Sequence, residues 1–133
     1  MQIRSAETAG FCFGVERAVS LAEQTAKSCA SAVTLGPIIH NRHVVERFEA
    51  MGLREIARAE DAQPGQTVVI RAHGIPVSEQ QTLAARGAKL VDATCPFVKK
   101  IHVIARQAEE AGRHLLIIGT PTHPEVTAIA SYS

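Results

Sequence analysis

Thr67-Val-Val-Ile-Arg-Ala-His-Gly-Ile-Pro-Val-Ser-Glu-Gln-Gln-Thr-Leu-Ala-Ala-Arg-Gly-Ala-Lys-Leu-Val91 passes from a strand pattern to a helix pattern and back within 25 residues. The β-branched run Thr67–Arg71 predicts a strand. Ser78 is a good N-cap for a helix that runs to Arg86, and Gly87 sits where a helix end needs left-handed backbone. Ala88–Val91 then reads as a strand again. A strand, a helix and a strand in that order join parallel neighbours by a right-handed crossover.

The same alternation extends in both directions. Gln2–Ala6 reads as a strand, and Val15, Ala18, Val19, Ala22 and Ala26 line one face of a helix. Ala32–Leu35 is strand-like. Val44, Val45, Phe48 and Met51 mark a second helix that Gly52 ends, and Arg58–Gln66, with Pro64 and Gly65, is a loop. Val98, Ile101, Ala105 and Ala108 make a long helix closed by Gly112. Leu115–Ile118 reads as a buried strand, and a further helix begins near Glu125. The expected fold is α/β, a mainly parallel sheet with flanking helices.

Composition narrows the function. The 133 residues carry 14 basic and 13 acidic side chains, a net charge of +1, which argues against a nucleic-acid face or a polybasic membrane patch. Aromatic residues make up 4% and Trp is absent, so little is available for base stacking. No apolar run approaches the roughly 20 residues that span a bilayer. The start, Met-Gln-Ile-Arg-Ser-Ala-Glu, is not a signal peptide. With 3 cysteines, the expectation is a reducing compartment, the cytoplasm, and metal or redox chemistry in place of disulfides.

Two of those cysteines share a context. Cys12 lies in Ala-Gly-Phe-Cys-Phe-Gly-Val (9–15) and Cys95 in Asp-Ala-Thr-Cys-Pro-Phe (92–97), each at an expected strand-to-helix turn. A thiol there faces open space and the positive end of the following helix, which favours the metal-binding thiolate. Cys29, at a helix end without Gly or Pro beside it, reads as structural. His40, His73 and His123 also sit beside turn formers, and Glu125 adds a carboxylate near His123. In an open α/β sheet, such loops gather along the carboxyl edge of the strands. Three imidazoles there suit a phosphate, with Asn41 capping the next helix. His43, His102 and His114 read as solvated or capping residues. A zinc site built from Cys12, Cys95 and two histidines is an alternative, though closely spaced ligand pairs are absent.

These stretches together resemble the N-terminal part of the 4-hydroxy-3-methylbut-2-enyl diphosphate reductases, the IspH/LytB family. The resemblance rests on Gly-Phe-Cys-Phe-Gly-Val (10–15) with Arg17-Ala18-Val19, on Gly-Pro-Ile-Ile-His-Asn (36–41) and on Arg-Ala-His-Gly (71–74). Val-Asp-Ala-Thr-Cys-Pro (91–96) and His-Pro-Glu-Val (123–126) complete it. It implies a [4Fe-4S] cluster on three cysteine thiolates, with one iron open to the substrate. It also implies reductive loss of a hydroxyl as water, giving isopentenyl and dimethylallyl diphosphate for isoprenoid biosynthesis by the deoxyxylulose phosphate route. Cys12 and Cys95 would be cluster ligands, His40, His73 and His123 would surround the diphosphate, and Glu125 would relay protons. Ferredoxin or flavodoxin would donate electrons. The fold implied is the first of three similar α/β domains, residues 1–95, with residues 96–133 opening a second.

The family's third cluster cysteine has no counterpart here, and Ala128 stands where the family usually has Gly. The chain alone is therefore expected to have little or no reductase activity, and an inactive N-terminal fragment is the competing reading.

Overall fold

The computed structural model describes residues 1–133. Helix α1 (Phe13–Ser28) comes first, followed by β1 (Val33–Leu35), α2 (Arg42–Ala50) and β2 (Arg54–Ile56). A 3₁₀ turn at Ala59–Asp61 leads into β3 (Thr67–Ile70), α3 (Val77–Ala85) and β4 (Lys89–Asp92). Helices α4 (Pro96–Glu110) and α5 (Pro124–Ala130) close the chain. The four strands are parallel throughout, in the order β2-β1-β3-β4. No helix is long and apolar enough to cross a membrane.

Both faces of the sheet are covered, as a parallel sheet requires. On one face Ala18, Val19 and Ala22 of α1 pack with Val44 and Phe48 of α2 against Val69. On the other, Leu83 of α3 and Ala59 and Ala62 pack against Val33, Leu35, Val68 and Ile70. Val68 and Val69 are both fully buried although they point to opposite faces. That two-sided burial is why Thr-Val-Val-Ile reads as a continuous apolar run and not as an alternating one.

The strand order fixes the position of the site. From β1 the chain leaves through α2 towards β2, whereas from β3 it leaves through α3 towards β4 on the other side. The loops after β1 and β3 therefore diverge, leaving a crevice at their carboxyl ends, where ligands of open α/β sheets bind. Backbone pairing continues past the strands along this edge. The Ala72 N–H donates to Ile38 O at 3.1 Å, Ala93 N–H to Ile70 O at 3.1 Å and Cys95 N–H to Ala72 O at 2.9 Å.

Four expectations need correction. Gln2–Ala6 and Leu115–Ile118 are not strands; no neighbouring strand offers either of them a hydrogen-bond ladder. Leu116 is 85% and Ile118 93% exposed, so the apolar run is not buried. A strand to which the sequence pattern assigns nothing, Arg54–Ile56, pairs with β1; its exposed Arg54 and Glu55 give no apolar run. Helix α3 starts at Val77 with Pro76 as its cap residue, placing Ser78 inside the first turn. Pro76, with φ −56° and ψ 152°, sets the backbone at the helix start, and the Val77 N–H donates to Ser131 Oγ at 3.0 Å.

Candidate functional site

His40 follows β1 in the Pro37–Asn41 turn, and His73 follows β3 before Gly74. Their ring centroids lie 4.6 Å apart. His123, the cap residue of α5, meets them edge-on, at 5.9 Å from His40 and 5.6 Å from His73. Residues from three separate loops thus form one imidazole cluster. His123 does not follow a strand, contrary to expectation; the turn Thr120–His123 and the start of α5 place it.

Each ring is held in a defined way. Asn41 caps α2 by accepting from the Val44 N–H at 3.3 Å, which fixes the backbone next to His40. His123 Nδ1 accepts from the Glu125 N–H at 3.3 Å, so in the neutral ring Nε2 carries the proton. His73 Nδ1 is buried without a protein partner. Burial, with the neighbouring His40 and the positive charge of Arg71, pushes the His73 pKa down to about 4. At neutral pH His73 is therefore an uncharged ring.

Arg71 was not singled out as a site residue. Its Nε donates to Gly74 O at 3.2 Å, closing the turn that carries His73. Its guanidinium lies over Gly36, where a side-chain carbon would stand 2.5 Å from Nη1. Gly36 also has φ +70°, left-handed backbone that favours glycine. The Arg-Ala-His-Gly run carried the signal, but the partner of Arg71 lies 35 residues away at Gly36.

Cys12 and Cys95 occupy equivalent positions, the cap residues of α1 and α4, with neither side chain engaged in capping. Cys12 is exposed and Cys95 partly exposed, and both are free thiols. Cys12 follows irregular chain and not a strand, because Gln2–Ala6 forms none. The two helix starts abut: a side-chain carbon built on buried Gly14 would run into Cys95 Sγ. Arg17 Nη1 reaches across to Thr94 O at 3.3 Å. Since the Cys95 N–H is bonded to Ala72 O, the thiols and the imidazole cluster belong to one edge of the fold. Glu125 sits on the first turn of α5.

The donor sets discriminate between ligands. The convergent group is His40, His73 and His123 alone, with ligand atoms within 4.8 Å of one another, and neither thiol belongs to it. The zinc arrangement of two cysteines and two histidines is therefore not formed. Three ring nitrogens beside a guanidinium, with no carboxylate in the group, suit an anion. Two thiols at open helix starts, next to a glycine that leaves room for them, fit two positions of a thiolate-ligated iron–sulfur group. His102 also departs from expectation: it is 7% exposed, packed against Gly74 and stacked on Tyr132 with centroids 4.5 Å apart. Cys29 lies at the end of α1, its Sγ 3.5 Å from Thr67 Oγ1, away from this edge.

Comparison with known proteins places this geometry. The family described as LytB protein matches residues 3–133. The 4-hydroxy-3-methylbut-2-enyl diphosphate reductase of Oleidesulfovibrio alaskensis is 48% identical over 135 aligned residues, covering 100% of this chain and 48% of that protein. The reductase of the same name from Citrifermentans bemidjiense is 41% identical, covering 100% of this chain and 47% of its own length. The chain thus spans about half the length of the curated relatives it matches. A solved structure of (E)-4-hydroxy-3-methyl-but-2-enyl diphosphate reductase superposes with a TM-score of 0.82 at 44% identity, over 96% of this chain and 45% of that one. The E-1-hydroxy-2-methyl-but-2-enyl-4-diphosphate reductase of Plasmodium falciparum gives 0.88 at 29% identity, over 96% and 40%.

Proposed function

The chain belongs to the LytB family along residues 3–133, and we propose from this that it supplies the N-terminal part of a 4-hydroxy-3-methylbut-2-enyl diphosphate reductase. The observation that carries the reading is the convergence of three imidazoles on the sheet edge that also carries two free thiols at the cap positions of α1 and α4. The reaction replaces the substrate's C–O bond with C–H: two electrons and two protons enter, and water leaves. The products are isopentenyl and dimethylallyl diphosphate.

His40, His73 and His123 take the diphosphate. His123 presents its Nε2–H, because Nδ1 is occupied by the Glu125 N–H. Neutral His73 binds as a hydrogen-bond donor and gains a proton more readily once the anion is present. Arg71 holds the His73 turn through Gly74 O. Glu125, next to His123 in the chain, carries a proton towards the reacting carbon. Cys12 and Cys95 would hold a [4Fe-4S] cluster, together with a third thiolate from outside residues 1–133. Such a cluster supplies the electrons and a Lewis-acidic iron. Ferredoxin or flavodoxin reduces it, in the cytoplasm. Residues 1–95 form the first α/β unit, and residues 96–133 begin the second.

Anaerobic reconstitution with iron and sulfide tests the reading. The expected result is visible absorption and an EPR signal that bleach in air, vanish in C12S and C95S, and accompany negligible turnover. Zinc bound without iron or sulfide would replace the reductase reading with that of a metal-binding module. A stable cluster with turnover in the 133 residues alone would overturn the need for further chain.

A further inference from the structure

A cavity of about 270 Å³ opens between β4, α3 and α4, with Tyr132 beyond α5 in its lining and none of the three clustered histidines. Its volume lies just below the usual range of small-molecule sites, about 300–1,000 Å³. Its one carboxylate, Asp92, is already satisfied by Lys99 Nζ at 2.6 Å and the Thr94 N–H at 2.9 Å. Burial pushes the Asp92 pKa up, but these bonds outweigh it and hold the group below the usual carboxylate range.

Three further polar groups around it have capacity to spare. Arg106 makes no ion pair; its guanidinium lies 5.2 Å from the centroid of the Tyr132 ring. Tyr132 accepts from Gln80 Nε2 at 2.7 Å, which leaves its own O–H free to donate. Tyr132 stacks on His102, whose Nε2 is buried without a partner although the residue is more than nine-tenths buried. Ile70, Ile75 and Val103 supply apolar lining to the same cavity. A cation with no carboxylate partner, a free hydroxyl proton and an unpartnered ring nitrogen, in a cavity also lined by apolar side chains, describe a receptor for an anion with a short hydrocarbon body.

We propose that this cavity binds a small organic oxyanion, a carboxylate or a phosphate monoester, at a site separate from the three imidazoles. The charged head meets Arg106 and the Tyr132 hydroxyl, and the body lies on Ile75 and Val103. The site does not depend on the reductase reading, since none of these side chains belongs to the imidazole cluster or the thiol pair.

The test is NMR titration of the 133-residue chain with butyrate, with butyl phosphate and with uncharged 1-butanol. The Tyr132 and His102 ring signals should shift saturably with one or both anions, which tells carboxylate from phosphate, and not with butanol. Arg106 is exposed, so R106Q should leave the fold intact while weakening binding about tenfold or more, the worth of one charge-assisted hydrogen bond. R106K, which keeps the charge but loses the fork, should fall between. H123A should leave these shifts unchanged, whatever it does to pyrophosphate binding. Shifts confined to His40 and His73, equal binding of butanol, or an R106Q affinity equal to the parent's would each overturn the proposal.

Discussion

His73 sets the pH behaviour of the site. Its pKa of about 4 lies below the ordinary 6.5 because of burial, His40 and Arg71, so the free ring is neutral at pH 7. A bound diphosphate favours the imidazolium and raises that pKa, so binding takes up a proton and tightens as pH falls from 7 towards 5. Calorimetry with pyrophosphate in buffers of different ionisation enthalpy should show net uptake, and H73A should bind about tenfold more weakly and take up less. The same shift acts on the fold with a definite sign. A folded pKa below the unfolded one means that the stability contribution is complete above pH 6.5 and is lost as pH falls from there to about 4. The ring is half-buried, so solvent reduces the effect, but the parent should lose more stability over that interval than H73Q in urea titrations. Gly14 offers a second test at this scale. Alanine is the better helix former by up to about 1 kcal/mol, so G14A should melt no lower than the parent. Its methyl group would displace Cys95 Sγ, so the iron-dependent absorbance per chain should fall sharply. An unchanged absorbance would show that the crowding of Cys95 by Gly14 has no bearing on metal capture. That Cys12, Cys95 and the three histidines sit at turns and helix starts was legible in the sequence because Gly and Pro punctuate them. Arg71 and His102 were not, since their partners Gly36 and Tyr132 are remote in sequence and only the fold brings them close.

Among the elements, α2 links the fold to the site, because its cap Asn41 directly follows His40. Removing the bond from the Val44 N–H in N41A should cost about 1 kcal/mol, read as a lowered urea midpoint. The first turn of α2 would loosen at the same point, so pyrophosphate affinity should fall although no ligand-facing atom is lost. An affinity that stays at the parent's value would separate the cap from the site. The elements also show what pattern reading captures. β1 and β3 were legible because burial on both faces demands unbroken apolar runs, whereas β4 is a partly exposed edge strand whose place the Gly87 turn before it marks. β2 was hidden because it is an edge strand of three residues whose Arg54 and Glu55 are exposed. Gln2–Ala6 and Leu115–Ile118 failed for the opposite reason. Their residues favour extended backbone, but a strand exists only where a neighbour completes its ladder.

At the scale of the whole molecule, the apolar side chains left outside are not scattered. Phe11 and Phe13 flank Cys12, Phe97 follows Cys95, and Ile101 and Ile104 continue along α4, between 40% and 69% exposed. Leu116 and Ile118 add the unpaired run beyond α4. Rings around both thiols, and an apolar stretch with strand propensity and no partner, make an exposed apolar face of the kind that another surface covers. The relatives are about twice as long as this chain, which provides the covering material. The prediction is a complementation. Alone, the chain should bind the dye ANS and self-associate as its concentration rises. Co-expression with the remaining, C-terminal half of the Oleidesulfovibrio alaskensis relative should reduce dye binding, sharpen thermal unfolding and yield an air-sensitive iron–sulfur absorbance greater than either half gives. C95S should abolish the absorbance yet keep much of the association, because apolar area holds the halves together while the thiolates hold the metal. If the halves do not associate, or if they associate without any gain in iron and sulfide, the exposed face and the thiol pair do not belong to one interrupted site.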